Sequence, residues 1–237
     1  MKGKHTEWER IFNIGQNINI QNCLFANLTC YSYGGGGSGI QIKKASEIVF
    51  ENCSFINNHA GKCQFNRTDF AFPDTNQPYF YGDGWGIQIG FECDMNVVDV
   101  KFERCNFTKN KAVRHGGAIS LQTLKAVEIT DCIFESNFAN LDFDEADLLE
   151  THYYKKTEGR GGAIYINPAY SYTYKGQSCF DTSLYMNPVT IKGCTFIGNS
   201  ARDGYAMYIE GDDPGTDFTI EGNNFTNNYN FITEDEE

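Results

Sequence analysis

Val127-Glu128-Ile129-Thr130-Asp131-Cys132-Ile133-Phe134-Glu135-Ser136-Asn137 is the clearest copy of a unit that recurs along the chain. Two β-branched or aromatic residues alternate, a two-residue step follows, then Cys, a spacer and Phe, and Asn stands three residues beyond. The alternating pair reads Ile18/Ile20, Ile48/Phe50, Val100/Phe102, Val127/Ile129, Val189/Ile191 and Phe218/Ile220. Cys23, Cys53, Cys105, Cys132 and Cys194 come next, replaced in the last copy by Asn223. Phe25, Phe55, Phe107, Phe134, Phe196 and Phe225 follow without exception, and then Asn58, Asn110, Asn137, Asn199 and Asn228, with Leu28 in the first copy. Period-two alternation marks a strand with one buried face, and the step before Cys breaks it as a corner would.

A second half-motif completes the unit. Gly-x-(Ala/Gly)-Ile-x-Ile runs through Gly37–Ile42, Gly84–Ile89, Gly116–Leu121, Gly161–Ile166 and Gly204–Ile209. These glycines predict a corner that needs positive φ or close backbone approach. Strand, corner, strand, Asn corner, Gly corner and strand make one coil of a three-faced parallel β-helix, stacked at about 4.8 Å per coil. Uninterrupted copies span 27 residues (Cys105 to Cys132) or 30 (Cys23 to Cys53), giving about six coils over residues 18–230. The fold class is therefore all-β, a solenoid with stacked aliphatic, Cys, Phe and Asn columns, read as one domain over 1–237. The inward Cys are taken as small hydrophobes. The Asn column can pair its amides from coil to coil.

Composition narrows the function. The chain of 237 residues has a formal charge of −12, which argues against nucleic acid or an anionic membrane surface as partner. No apolar run reaches the length of a spanning helix, so direct membrane insertion is not expected. The polar start, Met1 to Arg10, shows no signal peptide, and the chain reads as a piece of a longer one. Cys30 and Cys63, at nearly the same corner of adjacent coils, are the best disulfide candidate, although spacing does not fix connectivity. Glycosylation sequons stand at Asn27, Asn52, Asn66, Asn106 and Asn224.

Phe-x-x-Asn tetrads combined with Gly-Gly-Ala-Ile at Gly116 and Gly161 resemble the polymorphic outer-membrane protein repeat of chlamydial surface proteins and of protist surface proteins. The resemblance covers about Ile18 to Asn228. It implies a right-handed β-helix, an extracellular or cell-surface location, and adhesion to a glycan or protein of host or neighbouring cells. No autotransporter barrel accompanies the repeat here, and the long aromatic insertions depart from the pattern.

Those insertions, 61–83, 140–160 and 167–188, are where chemistry is sought. The first two leave from the same corner of coils two and four, about 10 Å apart, with Arg114 and His115 between them. They are read as walls of a ligand groove carrying Tyr79, Tyr81, Trp85, Tyr153 and Tyr154, over a floor of Arg114 and His115. Rings give large apolar contact at low entropy cost, which suits a sugar or an extended peptide. The blander reading is that these rings cover the insertions' own small cores.

No catalytic residue and no metal ligand is assigned, and no cofactor is expected, although the acidic run Asp142 to Glu150 offers oxygens of the kind calcium takes. The alternatives to binding are a polysaccharide lyase or hydrolase of the pectin-lyase-like class and a pure scaffold. An enzyme predicts carboxylates of adjacent coils converging in a cleft. Open strand edges at the two ends also predict end-to-end self-association.

Overall fold

The computed structural model describes residues 10–11, 17–30, 40–42, 46–60, 87–89, 99–112, 115–122, 125–139, 159–167, 173–174, 177–178, 188–210 and 216–230. Its strands form three large parallel sheets, each with one strand per coil. The first sheet stacks β1 (Arg10–Ile11), β5 (Ile40–Ile42), β9 (Ile87–Ile89), β13 (Ile119–Gln122), β17 (Ile164–Asn167) and β22 (Met207–Ile209). The second stacks β2 (Asn17–Gln21), β6 (Glu47–Glu51), β10 (Asp99–Glu103), β14 (Ala126–Thr130), β20 (Val189–Lys192) and β23 (Phe218–Glu221). The third stacks β3 (Leu24–Ala26), β7 (Ser54–Ile56), β11 (Asn106–Thr108), β15 (Ile133–Glu135), β21 (Thr195–Ile197) and β24 (Asn224–Thr226).

Pairing follows the repeat register. Val100 lies between Ile48 and Val127, Phe102 between Phe50 and Ile129, and Phe107 between Phe55 and Phe134. The aliphatic and Phe columns are fully buried through the central coils. Successive rings of the column from Phe25 to Phe225 stack with centroids 4.8–4.9 Å apart and planes within 8°. That spacing is the coil rise itself, so the backbone ladder and the ring stack satisfy one another. Phe50 and Phe102 meet this column edge-on, at 5.8 Å to Phe55 and 5.7 Å to Phe107. Each fully buried Phe contributes about 1.5–3 kcal/mol from apolar burial alone.

The Asn column bonds as anticipated and has a direction. In each coil the backbone N–H and the Nδ2 of Asn both donate to Oδ1 of the next Asn, as Asn110 does to Asn137 at 3.0 Å for each. The same Nδ2 donates to the carbonyl of the preceding coil's Phe, as Asn137 does to Phe107 at 2.9 Å. Leu28 starts the column by donating its N–H to Asn58 Oδ1. A buried side chain that leaves no polar atom unmet turns a corner without exposing backbone.

Three features go beyond the sequence reading. A fourth, shorter parallel ladder follows Leu28 and the Asn of the next three copies: β4 (Thr29–Cys30), β8 (His59–Ala60), β12 (Lys111–Ala112) and β16 (Phe138–Ala139). Two columns of non-glycine positive φ mark the corners. Asn22, Asn52, Arg104 and Asp131 stand before Cys, and Asn27, Asn57, Lys109 and Ser136 stand two residues after Phe. The inward Cys, taken from sequence as hydrophobes, also hydrogen-bond. Cys132 Sγ donates to Phe102 O at 3.6 Å and accepts from the Cys105 N–H at 3.3 Å.

The Gly-Gly-Ala corner divides its work by position. Gly116 and Gly161 have φ of +63° and +70°. Gly117 and Gly162 have no such φ, but a Cβ there would stand 2.1 Å from Gly162 O and 2.0 Å from Tyr205 O, so they are glycine because coils touch there backbone to backbone. Ala118 and Ala163 then sit fully buried just inside the corner.

Candidate functional site

The Gly corner positions the only residue of the expected ligand groove whose side chain is among those described. His115 bridges to Arg160, and Arg160 to Asp203, in a short ladder at the mouth of this corner. His115 is 6% exposed and its ring stacks on Tyr165 at 4.6 Å. Its Nδ1 accepts the Arg160 backbone N–H at 3.3 Å, which assigns the ring proton of the neutral form to Nε2. Arg114, Tyr79, Tyr81, Trp85, Tyr153 and Tyr154 lie outside the described residues, as do insertion 61–83 and residues 140–158 of the second. The third insertion, 167–188, holds an antiparallel pair, β18 (Thr173–Tyr174) and β19 (Gln177–Ser178).

Around His115 the structure gathers residues that sequence reasoning did not single out. Ile164 and Ile166 of β17 face the core, so Tyr165 between them points outward, yet it is only 3% exposed. Tyr208 of β22, its in-register neighbour, stacks on it at 6.1 Å. The Arg160 guanidinium lies over the Tyr208 ring at 5.0 Å and donates to Glu210 Oε1 at 2.6 Å. The Tyr165 hydroxyl donates to Glu210 Oε2. Both carboxylate oxygens are thus held, and the guanidinium is fixed by an ion pair and a ring face at once. Arg160 Nε is buried with no hydrogen-bond partner among the described residues. The sequence signal for this group was present but faint: Tyr165 and Tyr208 fill the middle position of Ile164-Tyr165-Ile166 and Met207-Tyr208-Ile209.

The second sheet carries the carboxylates that an enzyme reading would use. Glu51 and Glu103 are in-register neighbours on its outer face, as are Glu47 and Asp99. Arg104 pairs with both Glu51 and Glu103, and Lys101 bridges Glu103 at 3.3 Å to Glu128 at 3.2 Å. The Lys101 hydrogen bond, with help from Arg104, holds the Glu103 carboxyl below the ordinary carboxylate range. Adjacent carboxylates do converge here, but they form a neutralised ladder on an open strand face. A raised carboxyl suited to acid catalysis is not what this arrangement produces.

Inside the helix, hydrogen bonding with Cys105 and Cys194, together with burial, pushes the Cys132 thiol far above its ordinary range. Burial likewise raises Cys53. Protonated thiols of this kind are hydrogen-bond donors and poor nucleophiles. Among the described residues no group of three or more His, Cys, Asp or Glu could hold a metal ion, and the acidic run 142–150 lies outside them. Cys30 pairs in register with Ala60, three residues short of Cys63, which lies outside the described residues.

Four of the five sequons are described. Asn27, Asn52 and Asn224 are exposed and Asn106 is half-buried, while Asn66 lies outside. Asn52 Nδ2 already donates to Asn22 Oδ1 at 2.6 Å. In the other two outward strands Thr108 and Thr226 hydroxyls donate to Asn106 and Asn224 Oδ1, at 2.9 and 3.2 Å.

Residues 10–167 match the family model described as right handed beta helix region. No curated protein and no solved structure matches the chain.

Proposed function

Given that the chain belongs to the right-handed β-helix family, we propose that it is a ligand-binding module of a secreted or cell-surface protein, working in adhesion to a glycan or protein of a host or neighbouring cell. The Gly corner is its contact surface. The observation that carries this reading is the group Arg160, Tyr208 and Glu210 on the outside of the first sheet. A guanidinium, a ring and a carboxylate are fixed there by one another and not by the core, and rigid polar and aromatic groups on a solenoid face are what binding uses.

His115 and Tyr165 support that group from below. Insertions 61–83 and 140–160 would add Tyr79, Tyr81, Trp85, Arg114, Tyr153 and Tyr154 to the same corner. The Phe-x-x-Asn and Gly-Gly-Ala-Ile pattern, similar to that of polymorphic outer-membrane proteins, supports the surface setting. Asn224, exposed and in an outward strand, is the sequon best placed to carry a glycan.

The neutralised carboxylates of the second sheet weigh against a lyase or hydrolase, although fold alone hosts both activities. Affinity electrophoresis through gels loaded with a panel of polysaccharides, with and without calcium, tests the reading. Retardation without clearing is the expected result, and Arg160→Gln or Tyr208→Ala should abolish it without lowering the melting temperature. Clearing of the polysaccharide favours the enzymatic alternative, and calcium-dependent retardation brings the acidic run into the site. No retardation on any polysaccharide moves the search to protein ligands on cells.

A further inference from the structure

His115 accepts a hydrogen bond that only its neutral form can accept. The Arg160 N–H donates to His115 Nδ1 at 3.3 Å, and the Gly116 N–H donates to Arg160 O at 2.9 Å. One coil on, the N–H of Asp203, the rung partner of Arg160, donates to Gly159 O at 3.0 Å. A backbone carbonyl accepts at any pH. An imidazole nitrogen accepts only while unprotonated, and the ordinary imidazole pKa of about 6.5 lies close to neutral.

The ring is closely held where it would take its proton. It is 6% exposed and lies flat on Tyr165, with centroids 4.6 Å apart and planes at 17°. Protonation of Nδ1 sets an N–H against the Arg160 N–H across 3.3 Å. Either the ring then leaves the Tyr165 face or Arg160 leaves the corner. Both moves reach one carboxylate, since Tyr165 donates its hydroxyl and Arg160 its Nη1 to Glu210.

Charge acts in the same direction. Among the described residues, the charged and titratable groups around the ring are Arg160 across the bridge and Tyr165 beneath it. Glu210 and Tyr208 lie beyond Tyr165, and Asp203 stands on the next rung. With a neutral imidazole, Arg160 and Glu210 cancel one another in their ion pair. An imidazolium adds a second cation to that pair, repels the guanidinium and competes with it for Glu210. Asp203 is exposed, where solvent screens it.

We propose that His115 is a pH-sensitive latch on the contact surface. Neutral, it keeps Arg160 over Tyr208 and Tyr165 on Glu210; protonated, it frees them, and the surface comes apart. The proposal rests on the reading of Arg160, Tyr208 and Glu210 as that surface. It makes binding strong at neutral pH and weak in acid.

The Arg160 Nε–H signal in a nitrogen-correlated NMR spectrum reports the latch without any ligand. The guanidinium stands 5.0 Å over the Tyr208 ring, so ring current displaces its signal from that of free arginine side chains. Arg160→Gln identifies the signal by removing it. The signal is expected to be displaced at about pH 7.5 and to collapse onto the free position at about pH 5.0. The His115 ring nitrogens, followed in the same samples, should titrate with the same midpoint. In His115→Asn, whose Oδ1 accepts at either pH, the Arg160 signal should stay displaced throughout. If that variant does not fold, the two titrations of the parent still decide. An Arg160 signal that stays displaced while the ring titrates would overturn the latch. So would a ring that stays neutral down to about pH 5.0, or the same collapse in folded His115→Asn. The polysaccharide gels judge the surface separately: any retardation at about pH 7.5 should be lost at about pH 5.0. Paired titrations without retardation at either pH would uphold the latch and remove the glycan surface.

Discussion

Asn223 does for Cys194 what Cys132 does for Cys105. Asn223 Oδ1 accepts the Cys194 N–H at 2.8 Å and its Nδ2 donates to Ile191 O at 2.8 Å, while Cys132 Sγ accepts from the Cys105 N–H and donates to Phe102 O. The replacement of Cys by Asn in the last copy is thus a conservative exchange of one hydrogen-bond bridge for another. The Cys column is the thiol counterpart of the Asn column at the next corner.

Cys132→Ala should therefore destabilise by more than its lost volume suggests, since the Cys105 N–H and Phe102 O both lose a buried partner. A loss of about 1–3 kcal/mol in urea unfolding is expected. Asn223→Cys, which keeps donor and acceptor, should cost less than about 1 kcal/mol. Equal effects of the two would remove the bridging role.

Asn137→Leu tests the parallel column. It keeps volume but leaves the Asn110 N–H without its acceptor Asn137 Oδ1 and Phe107 O without its donor Nδ2. The expected loss is about 2–5 kcal/mol, from roughly two buried groups left unmet.

Glycine substitutions separate the two reasons for glycine. Gly198 has φ of +58°, but a Cβ there would meet only Ser136 Oγ at 3.7 Å, so Gly198→Ala should cost about 1–2 kcal/mol from φ alone. Gly117→Ala, with ordinary φ and a Cβ 2.1 Å from Gly162 O, should cost more and loosen coils three and four. Thermal melts of both variants check the order.

Acid should weaken the second sheet first. The Glu103 pKa is lowered by Lys101 and Arg104. Its contribution is therefore present above the unfolded carboxylate pKa and is lost as pH falls through the lower folded value. Glu103→Gln should flatten the acid limb of a stability profile, and added salt should do the same because the face is open. An unchanged acid limb would show that the ion ladder is inert.

How much was legible in the sequence follows from what repeats. The columns of Ile48, Phe55, Cys53 and Asn58 were readable because each copy must match the next, and register then fixes which face is buried. The second positive-φ column was not, since Asn27, Lys109, Ser136 and Gly198 share a backbone conformation but no side chain. Nor was the site around Arg160 and Tyr208, because those residues face outward, where stacking imposes no common identity. The stacking of His115 on Tyr165 was not legible either, because it depends on Tyr165 occupying a slot that holds Ser120 one coil earlier. Repetition makes a fold easy to read and leaves its outward-facing residues unmarked.

The measurement closest to the central claim is a pair of urea unfolding curves, for Phe134→Ala and Phe138→Ala. Phe134 is fully buried between Phe107 and Phe196, and its loss should cost about 3–5 kcal/mol. Phe138, half-buried in the short ladder outside the column, should cost clearly less. Equal losses, or a Phe134→Ala variant as stable as the parent, would contradict a fold held together by its inward columns.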